Sequence, residues 1–156
     1  MKKIYAIAAL LLLSIVSFAY DGKGIYSKYS DSKDVSAVYI SPAMFKMIGR
    51  LPDMRLGEGS RNFTPVLKSL KGMYVLNTSS SATGTAISAD VSKMVKKEGY
   101  EMIMEAKENG ETVRMYTVSS GDVVTSLLML ETSSSETTFI CLDGVMSMEA
   151  LMKLVE

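Results

Sequence analysis

The chain contains no histidine and one cysteine, Cys141. The first absence removes whole classes of mechanism: Ser-His-Asp and Cys-His triads, histidine general bases, and histidine-ligated zinc or haem. The second removes an intrachain disulfide and any thiolate zinc site held within one chain. Cys141 lies in the apolar run Thr138-Phe139-Ile140-Cys141-Leu142, where a free cysteine acts as a small buried hydrophobe. An activated thiol needs an electropositive, partly exposed setting, and the flanking residues supply none. A basic excess is missing too. With 17 Lys+Arg against 17 Asp+Glu, electrostatic binding to nucleic acid or anionic lipid is disfavoured. No second apolar run follows the one at the N-terminus, so no transmembrane segment is expected in the processed chain.

What the N-terminus does contain is an export pattern. Two lysines, Lys2 and Lys3, precede an apolar run from Ile4 to Val16, then Ser17-Phe18-Ala19. A basic start, a short apolar stretch and a small-x-small end describe a signal peptide over residues 1–19. The run is shorter than the roughly 20 residues that cross a bilayer. Cleavage after Ala19 leaves Tyr20 as the new N-terminus and an exported protein, periplasmic or secreted. Without Lys2 and Lys3 the processed chain has 17 − 2 = 15 basic residues against 17 acidic ones, a net charge of −2. No cysteine stands at the cleavage point after the apolar run, so lipid anchoring is not expected.

Residues 20–33 are polar and lack periodicity, which reads as a mobile N-terminal segment. A single α+β domain is expected over residues 34–156. Val35–Ile40 is β-branched and aromatic, a short strand. Ser41-Pro42 pairs an N-cap with a residue tolerated at the first helical position, opening a helix with Met44, Phe45, Met47, Ile48 and Leu51 as its apolar stripe. Thr64-Pro65 repeats that signal before a strand at Met73–Leu76. Asn77–Thr85 reads as a polar loop, and Ile87–Lys97 as a helix stopped by Gly99. The C-terminal half is a series of hairpins. Asn109-Gly110 is a favoured two-residue turn, and it sets Ala106 against Val113, Glu105 against Arg114 and Met104 against Met115. Strands at Val123–Leu130 and Thr137–Leu142 follow, then a helix carrying Met148, Leu151, Met152 and Val155. The order β-α-α-β-α-β-β-β-β-α predicts an α+β fold, a largely antiparallel sheet with helices packed on one face.

Four segments together resemble a known family. They are Val38-Tyr39-Ile40-Ser41-Pro42-Ala43-Met44-Phe45, Leu70-Lys71-Gly72-Met73-Tyr74-Val75-Leu76, Gly99-Tyr100-Glu101-Met102-Ile103-Met104 and Leu142-Asp143-Gly144-Val145-Met146-Ser147-Met148. The chain is similar over roughly 34–155 to domain of unknown function 4252, a family of small exported proteins of Gram-negative bacteria. The resemblance implies a role in the cell envelope and transfers no functional residue, because its motifs are structural.

No catalytic residue, metal ligand set or cofactor is expected, and the chain reads as a non-catalytic binding or interaction domain. The hairpin register sets Met104 and Met115 on the core face, with Glu105 and Arg114 on the outer one. Ile103, Tyr116, Leu128 and Leu130 are placed on that outer, uncovered side. Ile103, Glu105, Arg114 and Tyr116 are therefore the candidate binding residues, for a protein or a small apolar ligand of the envelope. The alternative is copper(I) handling by methionine, from the spacings Met44-x-x-Met47, Met102-x-Met104 and Met146-x-Met148, since soft thioethers suit copper(I).

Overall fold

A computed structural model describes residues 21–48 and 69–149. The elements run α1 (Gly22–Tyr29), β1 (Ser36–Ile40), α2 (Pro42–Ile48), β2 (Leu70–Thr78), α3 (Ser81–Lys97), β3 (Glu101–Glu108), β4 (Glu111–Ser120), β5 (Val123–Thr132) and β6 (Thr137–Ser147). The strands form one antiparallel sheet of order β1-β2-β6-β5-β4-β3. The α+β class and the strand-helix order expected from the sequence hold. The signal peptide with its cleavage point, the short helix after Thr64-Pro65 and the body of the last helix lie outside the described residues.

The hairpins follow their turn chemistry. Asn109 and Gly110 both have positive φ, which the two-residue turn requires, and the pairs Ala106–Val113, Glu105–Arg114 and Met104–Met115 form as expected. Ser41 accepts a bond from the Met44 backbone N–H at the start of α2. Ser80 caps α3 by accepting from the Thr83 N–H. That helix begins at Ser81, within the stretch the sequence reads as loop. Its polar first turn has weak intrinsic preference, but Gly84 lies directly against β6: a Cβ there would stand 2.4 Å from Thr137 Oγ1. Tertiary contact rather than propensity carries the helix start.

The largest departure is at the N-terminus. Residues 22–29, expected to be mobile, form α1. Asp21 Oδ1 caps it by accepting from the Gly24 N–H at 2.7 Å, and Ile25 and Tyr29, one turn apart, are buried in the core. Gly22 has no room for a side chain, since its Cβ would fall 2.1 Å from Cys141 Sγ. Two glycines and a polar composition hide this helix from pattern reading, because what stabilises it is the sheet beneath it.

The core divides between the two faces of the sheet. On one face α1 and α3 bury Ile25, Tyr29, Ile87, Val91 and Met94 against Tyr74, Leu76, Tyr116, Leu128, Leu130, Phe139 and Cys141. On the other, Phe45 of α2 is buried with Leu70, Val124 and Met146, and Ile40, Met73, Leu127 and Leu142 pack around them. This second cluster sits at one end of its face.

Candidate functional site

Glu105 and Arg114 are paired as expected, with Arg114 Nε 2.7 Å from Glu105 Oε2 and Lys107 Nζ 2.9 Å from Oε1. The hydrogen bond from Arg114, then that from Lys107, holds the Glu105 carboxyl below its usual range. The face is the reverse of the one expected. Arg114 pairs with Leu130, and Tyr116 with Leu128, so all four lie on the helix-covered side. Tyr116 is 8% exposed, and Leu128 and Leu130 are core. Tyr116 therefore does not join Ile103, Glu105 and Arg114 in an open surface. Ile103 is 55% exposed, at the β-bulge between Met102 and Met104. The hairpin alternation could not identify the covered face, because the neighbouring strand β5 is apolar on both sides and α1 was not anticipated.

Of the three methionine spacings, only Met102-x-Met104 is split between the two faces of the sheet. Met44 and Met47 are exposed on α2, whereas Met146 is buried and Met148 packs against its cluster. The bulge puts Met102 opposite Tyr116 and Met104 opposite Met115, on opposite faces of the sheet.

A polar cluster inside the helix-covered face went unnoticed in the sequence. Ser126 Oγ lies 2.8 Å from the Tyr100 hydroxyl, donates to Asp143 Oδ1 at 3.0 Å, and contacts Cys141 Sγ at 3.6 Å. Burial pushes the Asp143 carboxyl up, outweighing the bonds from Ser126 and Cys141, with the Asp21 charge adding to the rise. Burial and then Asp143 raise the Cys141 thiol. Burial also raises the Tyr100 phenol, and it pushes Tyr74 up to about 12. Such a thiol holds its proton and is no nucleophile at neutral pH. Cys141 is the core residue its apolar run suggested.

A cleft of about 300 Å³ opens between the start of α3 and the β5–β6 turn, with Ser80, Ser88, Arg114, Ser133, Glu136 and Thr137 among its walls. Several of its hydroxyls are committed to the backbone. Ser80 caps α3, Ser88 donates to the Gly84 carbonyl, and Ser133 accepts from the Glu136 N–H. These bonds shape turns and helix ends, so the three serines have structural roles that need no ligand.

The open part of the second face is different. One row of paired residues crosses all six strands: Val38, Val75, Ile140, Met129, Met115 and Met104. None of the six belongs to either buried cluster or to the residues packed against them. Val38 and Met104, at its two ends, are 50% and 42% exposed, and the four between are half-buried. An apolar row of this kind, half-buried at its centre and exposed at both ends, is the strongest candidate for an interaction surface among the described residues.

No curated protein and no solved structure matches the chain. A family model described as domain of unknown function (DUF4252) matches residues 29–154, from the end of α1 through every strand of the sheet. The chain belongs to the DUF4252 family.

Proposed function

We propose that this is an exported, non-catalytic binding domain of the cell envelope, taking a protein or a small apolar ligand on the open face of its sheet. The observation that carries the reading is the apolar row from Val38 to Met104, which neither helix layer buries. Burying such a row against a partner is worth roughly 25 cal/mol per Å² of apolar surface removed from water. Export is supported by the Lys2-Lys3 start, the apolar run and the Ser17-x-Ala19 end. A non-catalytic role is supported by the absence of histidine and by a thiol that burial keeps protonated.

Two measurements test the two halves. N-terminal sequencing of the protein recovered from the envelope should begin at Tyr20; a chain still starting at Met1 rejects export by cleavage. Affinity capture from the envelope fraction should retain a specific partner that Val38→Lys loses. Val38 is half-exposed, so the lysine should leave the fold intact, which an unchanged circular dichroism spectrum checks. Capture unchanged by Val38→Lys would place the binding surface elsewhere.

A further inference from the structure

We propose that Met104, Met115 and Met129 form a copper(I) site on the open face of the sheet. They belong to three successive strands, and Met115 pairs directly with both of the others. Directly opposed residues of an antiparallel pair have Cα atoms about 4.5–5.5 Å apart, so the three thioethers start from neighbouring positions on one surface. Methionine has three rotatable bonds and a polarisable sulfur, which lets the outer two lean toward the central one. All three are half-buried or exposed, whereas the core methionines Met94 and Met146 are closed off from solvent.

Charge on this face favours a cation. The pairing pattern places Glu101, Glu108, Glu111 and Glu131 on the same side of β3, β4 and β5 as the three methionines. Lys107 and Arg114 lie on the other side with Glu105. Thioethers are soft, neutral ligands, and that selects copper(I) over the hard divalent ions that carboxylates and water prefer. The ion binds without changing oxidation state. The sequence spacings pointed to methionine pairs along single elements; the site assembles instead across strands, from residues 104, 115 and 129. The proposal shares the open face with the function proposed above, but its ligand and its test are separate.

The test is an anaerobic titration of the processed protein with copper(I) against a chromogenic copper(I) chelator. The expected result is one ion per chain. Affinity should fall at least about ten-fold in Met115→Leu and in Met104→Leu, a size seen even when only an outer partner of a metal ligand is removed. Leucine nearly conserves volume, and an unchanged far-ultraviolet circular dichroism spectrum checks the fold. Met44→Leu, on α2, should leave the affinity unchanged. A thioether carries no proton to release, so the affinity should also be flat between pH 6 and 8, unlike a histidine or cysteine site. Copper(I) lost to the chelator by the wild type, or an equal loss in Met44→Leu, overturns the proposal. Val38→Lys, at the far end of the row, separates the two readings: it should abolish partner capture and spare copper(I).

Discussion

At the scale of single residues, Asp143 and Tyr116 are the informative positions. Asp143 accepts from Ser126 and Cys141, both uncharged groups, and burial raises its pKa. The folded state therefore holds this proton more tightly than the unfolded chain. By linkage, its contribution to stability falls as pH rises from the unfolded value, about 3.9 for aspartate, through the raised folded one, and the loss is complete above that. Asp143→Asn should raise the melting temperature at pH 7, and its advantage over the wild type should shrink on acidification. An advantage that stayed constant down to pH 4 would count against a charge effect. Tyr116, a candidate binding residue by sequence, is core. Tyr116→Ser should destabilise by about 3 kcal/mol in chemical denaturation, as truncation of a buried aromatic does. Gly22→Ala should cost about 1–3 kcal/mol for the same reason in reverse, because the new methyl has no space beside Cys141.

At the scale of elements, α1 is held to α3 by one carboxylate. Asp90, whose side chain is 7% exposed, accepts from Lys28 Nζ at 2.5 Å and from the Tyr29 hydroxyl at 2.7 Å. Burial works to raise the Asp90 carboxyl, but the hydrogen bonds from Lys28 and Tyr29 and the nearby positive charge outweigh it, and the pKa is lowered. That stabilisation is present above the unfolded pKa and is lost as pH falls through the folded one. Lys28 is raised, chiefly by Asp90, so its share is present below its unfolded pKa and is lost at alkaline pH as the raised value is passed. Asp90→Ala strands a buried phenol and should cost about 2 kcal/mol. Amide exchange should then speed up in Gly22–Tyr29 more than in the C-terminal turns of α3. Equal acceleration across both helices would mean that α1 is not held separately.

At the scale of the whole molecule, the two faces of the sheet are covered unequally, and adjacent residues report it. Leu128 is fully buried beneath the helices, and Met129 points to the open face. Leu128→Ala should cost about 2–5 kcal/mol. Met129→Ala should cost less than about 1 kcal/mol, as expected of a substitution away from a packed core. Similar losses at the two positions would mean that the open face is packed after all. The two edges of the sheet differ as well. β3 carries a bulge and four charged residues, features that discourage further strand pairing, while β1 is uncharged and regular in register.

The sequence by itself determined what depends on neighbours along the chain. Asn109-Gly110 sets a hairpin register because only a left-handed turn joins those strands closely. Ser41-Pro42 starts a helix, Gly99 takes a positive φ where α3 ends, and the missing histidines exclude their chemistry whatever the fold. Tertiary structure decided what depends on distant partners. Which face of the hairpin is buried was settled by α1 and α3, and α1 itself exists through contacts with Cys141 and Asp90, residues 119 and 68 positions from Gly22. The methionine row was also beyond local reading, because Met104, Met115 and Met129 become neighbours only through strand pairing. Turn chemistry acts over two or three residues, whereas burial is shared among segments that meet only when the chain has folded.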